Sequence, residues 1–178
     1  GLVPPPVARV PRDGALPLST AQSRLWFVQQ ADPDSTAYNV ALPLRIEGPL
    51  DVAALAASLR EVVRRHEVLR TTFRMAELSP GQVVAPPGGE PLAWIDLAQL
   101  PAHRREAEAA RLAQRAADIP FDLARGPVFR AVLLRLAEAR FLFLCAIHHI
   151  ALDGSSARLL VQELIAHYRD LAAGRAPR

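Results

Sequence analysis

The sequence contains no lysine: all 21 of its basic residues are arginine, set against 18 acidic residues and a formal net charge of +3. The arginines are scattered among the acidic residues and form no stripe of the kind that binds a phosphate backbone. Together with the abundant alanine, the absence of lysine indicates codon bias rather than a nucleic-acid surface. We therefore expect no nucleic-acid partner.

Cysteine and long apolar runs are also scarce. The single cysteine, Cys145, excludes a disulfide framework and a cysteine-based metal cluster. No stretch reaches membrane-spanning length without charges, and GLVPPPVARVPRDGALP lacks the continuous apolar segment of a signal peptide. We expect a soluble, cytoplasmic protein with no membrane partner. Because the chain begins without methionine, we also expect it to be part of a longer protein.

The chain is long enough for one ordinary domain, with 178 residues of which 51% are hydrophobic. Five of the 16 prolines fall within residues 1–17, where no hydrophobic period is present, and this composition is typical of a linker. We expect residues 1–15 to be an interdomain linker and residues 16–178 to be the folded unit.

Capping residues and apolar spacing predict helices over 20–31, 51–66, 102–117 and 156–173. In the first, capped by Ser19, we expect Leu25, Val28 and Trp26 to face inward. Asp51 should cap the second, which carries Leu55, Leu59 and Val62 or Val63 at helical spacing. Gly174 should end the last helix, whose inner side carries Leu160, Leu164, Tyr168 and Leu171.

The predicted strands are AYNVALPLRIEG, EVLRTTFRM, GQVVA, LAWIDL, VFRAVLLRLA and RFLFLCAIHH. Pro43 indicates that the first of these is an edge strand or carries a bulge. The last is apolar at both odd and even positions, which is typical of a strand buried on both faces. These patterns predict a layered α/β fold with this strand in the middle of the sheet.

The segment CAIHHIALDGSS places two adjacent histidines at the end of that strand. Side chains alternate across a strand, so His148 and His149 should point to opposite faces if pairing holds to the strand's end. This geometry disfavours a metal site built from both. No third ligand occurs at a familiar spacing, and we expect no bound metal.

The same segment has a purely structural interpretation. Ser155 and Ser156 follow Asp153 and Gly154 at a predicted helix start, where serine is an ordinary capping residue, and no G-x-S-x-G elbow is present. Asp153 could itself be only a helix cap. HHIALDG taken alone is therefore as consistent with a capped helix after a buried strand as with a catalytic site.

Three segments in order closely resemble the first three core motifs of condensation domains from non-ribosomal peptide synthetases: LPLSTAQSRLWFVQQ (16–30), RHEVLRTTF (65–73) and HHIALDG (148–154). The upstream RVPRDGALPLS also resembles the linker that follows a carrier domain. The histidines resemble the condensation motif rather than the aspartate-rich motif of cyclisation variants. The resemblance implies one lobe of a chloramphenicol-acetyltransferase-like fold, a mixed β-sheet flanked by helices. The chain would be the N-terminal lobe, with the C-terminal lobe absent.

The resemblance implies amide-bond formation between two carrier-bound thioesters, in a tunnel enclosed by both lobes. The partners would be upstream and downstream peptidyl carrier domains and an adjacent adenylation domain. The domain itself would bind no cofactor, because its substrates are attached to the phosphopantetheine of the carriers. The isolated lobe is then expected to be inactive. The alternative from another functional class is a non-catalytic module that docks carrier domains.

The resemblance also implies roles for individual residues. His149 would face the tunnel and act as a positioning base, whereas His148 would be structural. Asp153 would form a buried ion pair with Arg65, or alternatively with Arg70, and so brace the loop that bears His149. Gly154 would allow a close backbone approach or a positive φ. Trp26 and Phe27 are expected in the core rather than in contact with substrate.

Overall fold

The computed structural model describes residues 8 and 10–177, so residues 1–7 and 9 of the predicted linker lie outside the described residues. The elements follow in the order β1 (Leu16–Pro17), α1 (Thr20–Ala31), β2 (Asn39–Glu47), α2 (Val52–Arg65), a 3₁₀ turn (Glu67–Arg70), β3 (Thr71–Ala76), β4 (Ser79–Val84), β5 (Leu92–Asp96), α3 (Ala102–Asp118), β6 (Phe129–Ala137), β7 (Arg140–His148) and α4 (Gly154–Ala172).

The larger sheet has four strands in the order β2-β7-β6-β5. β5 runs parallel to β6, and the other pairs are antiparallel, which confirms a mixed sheet. β7 lies inside the sheet and is buried along almost its whole length, as the apolar run predicted. β2 is an edge strand, and this position tolerates Pro43, which cannot donate a backbone hydrogen bond.

Successive side chains of β7 point to opposite faces of the sheet, so the strand packs against helices on both faces. Phe141, Phe143, Cys145 and Ile147 share a core cluster with residues of α2 and α4. On the opposite face, Leu142 packs with Ala109 of α3. Ala146, further along that face, packs in a third cluster with Trp26 of α1. The strand that ends at His148 is therefore the centre of the fold.

A second, antiparallel sheet has the strand order β1-β4-β3. The predicted strand EVLRTTFRM is only partly correct, because its first four residues form the 3₁₀ turn. Leu69 of that turn is buried in the main core cluster, and Thr71 Oγ1 donates a hydrogen bond to the Glu67 carbonyl at 2.7 Å. The turn places Leu69 in the same cluster as Val62 of α2, and the extended strand begins after it at Thr71.

The predicted caps are confirmed, and the predicted inner face of α1 is partly correct, because Trp26 is buried and Leu25 packs partly buried against the same cluster. Ser19 forms a capping box with Gln22. The buried residues of α1 are Trp26 and Gln29. Val28 is 43% exposed and Phe27 is 60% exposed, so the inward position expected for Val28 and the core position expected for Phe27 are wrong. Apolar side chains occur all around this helix, so their spacing does not select one face. Trp26 anchors the helix by donating from Nε1 to the Phe73 carbonyl at 3.3 Å.

The packing of α2 against α4 follows the prediction closely. Asp51 caps α2 by accepting the Ala54 N–H at 2.9 Å, and Leu55, Leu59 and Val62 are buried. α4 starts two residues earlier than predicted, at Gly154, and Gly174 follows its end with a φ of 70°. Among the described residues, no helix combines the length and apolarity needed to cross a membrane.

Candidate active site

The turn after β7 separates the two histidines. His148 is the last residue of β7 and is fully buried, with its N–H donating to the Val128 carbonyl at 3.0 Å. His149 is exposed and belongs to the turn. Its own N–H donates to the Tyr38 carbonyl at 2.8 Å, and its carbonyl accepts the Leu152 N–H at 3.3 Å. The backbone of His149 is thus fixed while its imidazole faces outward.

The ring of His148 is held at both nitrogens. Nδ1 accepts the Ile150 N–H at 3.1 Å, and Nε2 lies 3.3 Å from Oε1 of Gln29. The ring packs edge-on against Phe121, with centroids 6.1 Å apart. Burial, aided by the charge of His149, lowers the pKa of His148 to about 4. His148 is therefore a neutral residue of the core at ordinary pH.

Asp153 is the N-cap of α4. Its Oδ1 accepts the Ser156 N–H at 2.8 Å and the Ser155 hydroxyl at 2.9 Å. Hydrogen bonds from Ser156 and then Ser155 lower the pKa of Asp153 to about 2. The carboxylate is exposed, and the local capping interpretation is the one that the structure shows.

The predicted ion pair of Asp153 with Arg65 or Arg70 is not formed. Arg65 Nε lies 3.1 Å from Glu163 Oε1, and Arg70 binds the backbone carbonyls of Ala85 and Arg64. Glu163 follows Asp153 by ten residues, or about 15 Å along a helix. The C-terminal end of α2 thus meets the third turn of α4, while the Asp153 carboxylate is directed at the first turn of its own helix.

The carboxylate of Glu163 is a shared partner that motif spacing alone does not reveal. His66 Nε2 hydrogen-bonds to its Oε2, and His167 Nε2 lies 3.5 Å from its Oε1. Burial raises the pKa of Glu163, but the hydrogen bond from His66 and the charges of Arg65 and His167 outweigh burial and lower it overall. Beside this group lies a cleft of about 170 Å³ between the 3₁₀ turn and α4, lined in part by Ala151 and Ser156.

Comparison with known proteins identifies the family. The model of the condensation domain family matches residues 12–178. The chain belongs to this family. One of the linear gramicidin synthase proteins from Brevibacillus parabrevis is 45% identical over 168 residues, which cover 94% of this chain and 2% of that protein. Chondramide synthase from Chondromyces crocatus is 45% identical over 170 residues, 96% of this chain and 4% of that protein.

Solved condensation domains have the same fold. The starter condensation domain of rhizomide synthetase matches with a TM-score of 0.85 and 30% identity, over 93% of this chain and 41% of that one. The first condensation domain of the CDA synthetase matches with a TM-score of 0.82 and 32% identity, over 94% and 42%. These matches confirm the chloramphenicol-acetyltransferase-like fold. This condensation domain chain spans about two fifths of the solved domains and a few per cent of the larger synthetases.

Gly154 does not have a positive φ, which was one of the two expectations for it. Apart from its chain neighbours and the backbone of its own helix, a Cβ placed there would meet no described atom within 4 Å. The predicted close approach to a substrate tunnel therefore involves no described residue and stays a prediction.

Cys145 is a buried core residue of this condensation domain chain. Burial raises the pKa of its thiol to about 12, so the thiol stays protonated and unreactive at neutral pH. Across residues 8 and 10–177, no group of three or more His, Cys, Asp and Glu side chains is arranged to hold a metal ion.

Sequence reasoning missed Gln29, Tyr38 and Phe121, which surround His148. Gln29 is separated from His148 by 119 residues and is not among the residues of α1 that were expected to face inward. The available signal was its spacing of three residues from Trp26, which places both side chains on one helix face.

Proposed function

We propose that this chain is the N-terminal lobe of a condensation domain that transfers an upstream acyl or peptidyl thioester to the α-amine of a downstream aminoacyl thioester. The observation that carries the proposal is the exposed imidazole of His149, whose backbone is fixed after the central strand by hydrogen bonds to Tyr38 and Leu152. Family membership and the shared fold support the same reaction class.

In this reaction the amine nitrogen attacks the thioester carbonyl, a C–N bond forms and the C–S bond breaks. A free α-amine has a pKa of about 7.7–8.0, so deprotonating it near pH 7 costs only roughly 1 kcal/mol. The attacking nitrogen gains positive charge in the transition state. A neutral imidazole beside it can orient the amine and accept its proton, which the departing thiolate finally takes up. Such proton transfer typically contributes about 10²–10⁴-fold.

The substrates would be held by other domains. We propose that donor and acceptor are carried on the phosphopantetheine arms of two peptidyl carrier domains, with an adenylation domain adjacent, and that this chain binds no cofactor of its own. A relative from Salinispora arenicola, described as a probable non-canonical nonribosomal peptide synthetase, is 38% identical over 99% of this chain. The matched stretch is 2% of that protein, and a synthetase so much longer than this chain has room for the proposed carrier and adenylation domains.

The test compares three histidine variants in a complete condensation domain that contains this chain. Donor-loaded and acceptor-loaded carriers are supplied, and the amide product is followed over a single turnover. We expect His149→Ala to lower the rate by about 10²–10⁴-fold with an unchanged melting temperature. His148→Ala should lower the melting temperature, since that ring is fully buried.

The exposed His103 provides the matched control, and His103→Ala should change neither quantity. Retention of the full rate in His149→Ala, with carrier binding intact, would favour the alternative of a non-catalytic carrier-docking module.

A further inference from the structure

Gln29 is a buried polar side chain that approaches the histidine motif from α1. It is 4% exposed, and its amide bridges two groups far apart in sequence. Nε2 donates to the Pro33 carbonyl at 2.7 Å, and Oε1 lies 3.3 Å from His148 Nε2. A buried amide that forms hydrogen bonds at both ends has a fixed orientation. That orientation decides which neighbouring atoms must donate a hydrogen bond and which must accept one.

The donor–acceptor order of these hydrogen bonds is set at Pro33, because a backbone carbonyl can only accept a hydrogen bond. The amide nitrogen of Gln29 must therefore face Pro33, and its oxygen must face His148. That oxygen needs a donor, so the proton of the neutral imidazole is on Nε2. Nδ1 then keeps its lone pair and accepts the Ile150 N–H at 3.1 Å.

The opposite tautomer is disfavoured at both nitrogens. A proton on Nδ1 would face the N–H of Ile150, and the lone pair on Nε2 would face the Gln29 oxygen. Both hydrogen bonds would be lost in a site without exposure to solvent, where unpaired polar groups are costly.

These hydrogen bonds also restrain the backbone of His149 on both sides of its Cα. The His149 N–H donates to the Tyr38 carbonyl, and the N–H of the next residue, Ile150, donates to His148 Nδ1. We propose that Gln29 is a positioning residue for His149: it selects the His148 tautomer that holds the Ile150 N–H and thereby fixes the backbone that aims the His149 imidazole. The inference rests on the proposed function of His149.

The first test is spectroscopic and independent of activity. In the ¹⁵N-histidine-labelled 178-residue chain at pH 8, His148 should show a protonated Nε2 and a lone-pair-bearing Nδ1. Gln29→Met removes the acceptor and should shift the signals toward a mixture of tautomers. Gln29→Glu loses the donor to the Pro33 carbonyl but retains an oxygen acceptor for His148, so Nε2 should stay protonated. Gln30→Met, at the exposed neighbouring position, should leave the spectrum unchanged.

The second test measures kinetics in a complete condensation domain that contains this chain. Misplacement of a reacting group by about 1 Å can cost roughly 10²-fold, so Gln29→Met should lower kcat by about 10–100-fold with little change in KM. Gln29→Glu should recover part of the loss, and Gln30→Met should match wild type.

A wild-type chain with the proton on Nδ1 would overturn the inference, even if Gln29→Met does not fold. Unchanged His148 signals in Gln29→Met, or altered signals with an unchanged kcat, would also overturn it. A rate that does not depend on His149 would instead refute the proposed function, while the tautomer measurement would still decide whether Gln29 orients His148 and the turn.

Discussion

Arg65 Nε lies 3.1 Å from Glu163 Oε1, so the arginine of RHEVLRTTF is paired across the α2–α4 interface rather than with Asp153. The same carboxylate binds His66 and faces His167. Glu163 is only 20% exposed, and it joins the end of α2 to the middle of α4. The second motif is thereby tied to the helix that follows the histidine motif, through a residue outside all three segments.

We expect Arg65 and Glu163 to be energetically coupled. Glu163→Gln should lower the free energy of unfolding by about 0.5–1.5 kcal/mol, because it removes the charge shared by the half-exposed Arg65 and His66. Urea unfolding of Arg65→Met, Glu163→Gln and the double variant should give a coupling energy of roughly 0.5–3 kcal/mol. The pair Arg60–Glu90, whose side chains are 47% and 54% exposed, provides a control, and Glu90→Gln should have a smaller effect. Stronger coupling of Arg65 to Asp153 than to Glu163 would contradict the structure.

The role of Asp153 as a cap gives a separate prediction. Asparagine is as good an N-cap as aspartate, so Asp153→Asn should leave the melting temperature nearly unchanged. Asp153→Ala removes the acceptor of the Ser156 N–H and should lower the melting temperature. If Asn and Ala are equally destabilising, the negative charge matters more than capping, and an ion-pair partner must be sought.

Local signals in the sequence predicted much of this fold. The apolar run of β7 indicated a central strand, and Ser19 and Asp51 indicated helix starts, because each of these depends on neighbouring residues alone. The motifs indicated the family for the same reason. The partner of Arg65 was not predictable in this way, since an arginine at the end of α2 can reach several acidic residues and only the packing of α4 selects Glu163.

The rotation of α1 shows a second limit. Leu25, Val28 and Trp26 were all plausible inner residues, and the choice was decided by Phe73 and the end of β7, which lie far away in sequence. Gln29 was hidden for the same reason. Its spacing from Trp26 was a weak local signal, and its burial becomes evident only when its two partners, Pro33 and His148, are placed.

The buried state of His148 predicts a loss of stability in acid. Burial lowers the pKa of His148 to about 4, from a usual value of 6.5. The unfolded chain therefore takes up this proton first as the pH falls, and the stability present above pH 6.5 declines between 6.5 and 4. The contribution lost is at most about 3 kcal/mol.

Denaturant unfolding from pH 7.5 to 4 should show the decline in stability in wild type and a flatter profile in His148→Gln. The exposed control His103→Gln should keep the wild-type profile, and an equally flat profile in both variants would contradict the assignment to His148.

We expect the 178-residue chain alone to be folded and catalytically silent. Its core is complete enough to hold β7 between two helical layers, so circular dichroism should show a cooperative thermal transition.

His149, however, is exposed, and nothing in the described chain would hold two thioesters against each other there. Alignment of reactants can supply roughly 7–11 kcal/mol of a barrier, and we expect this contribution to be missing in a single lobe. Exposed Phe27 and Leu159 should in addition favour self-association, measurable by sedimentation. Donor-loaded and acceptor-loaded carriers should give no product above the enzyme-free background. Product that disappears in His149→Ala would show instead that one lobe suffices for condensation.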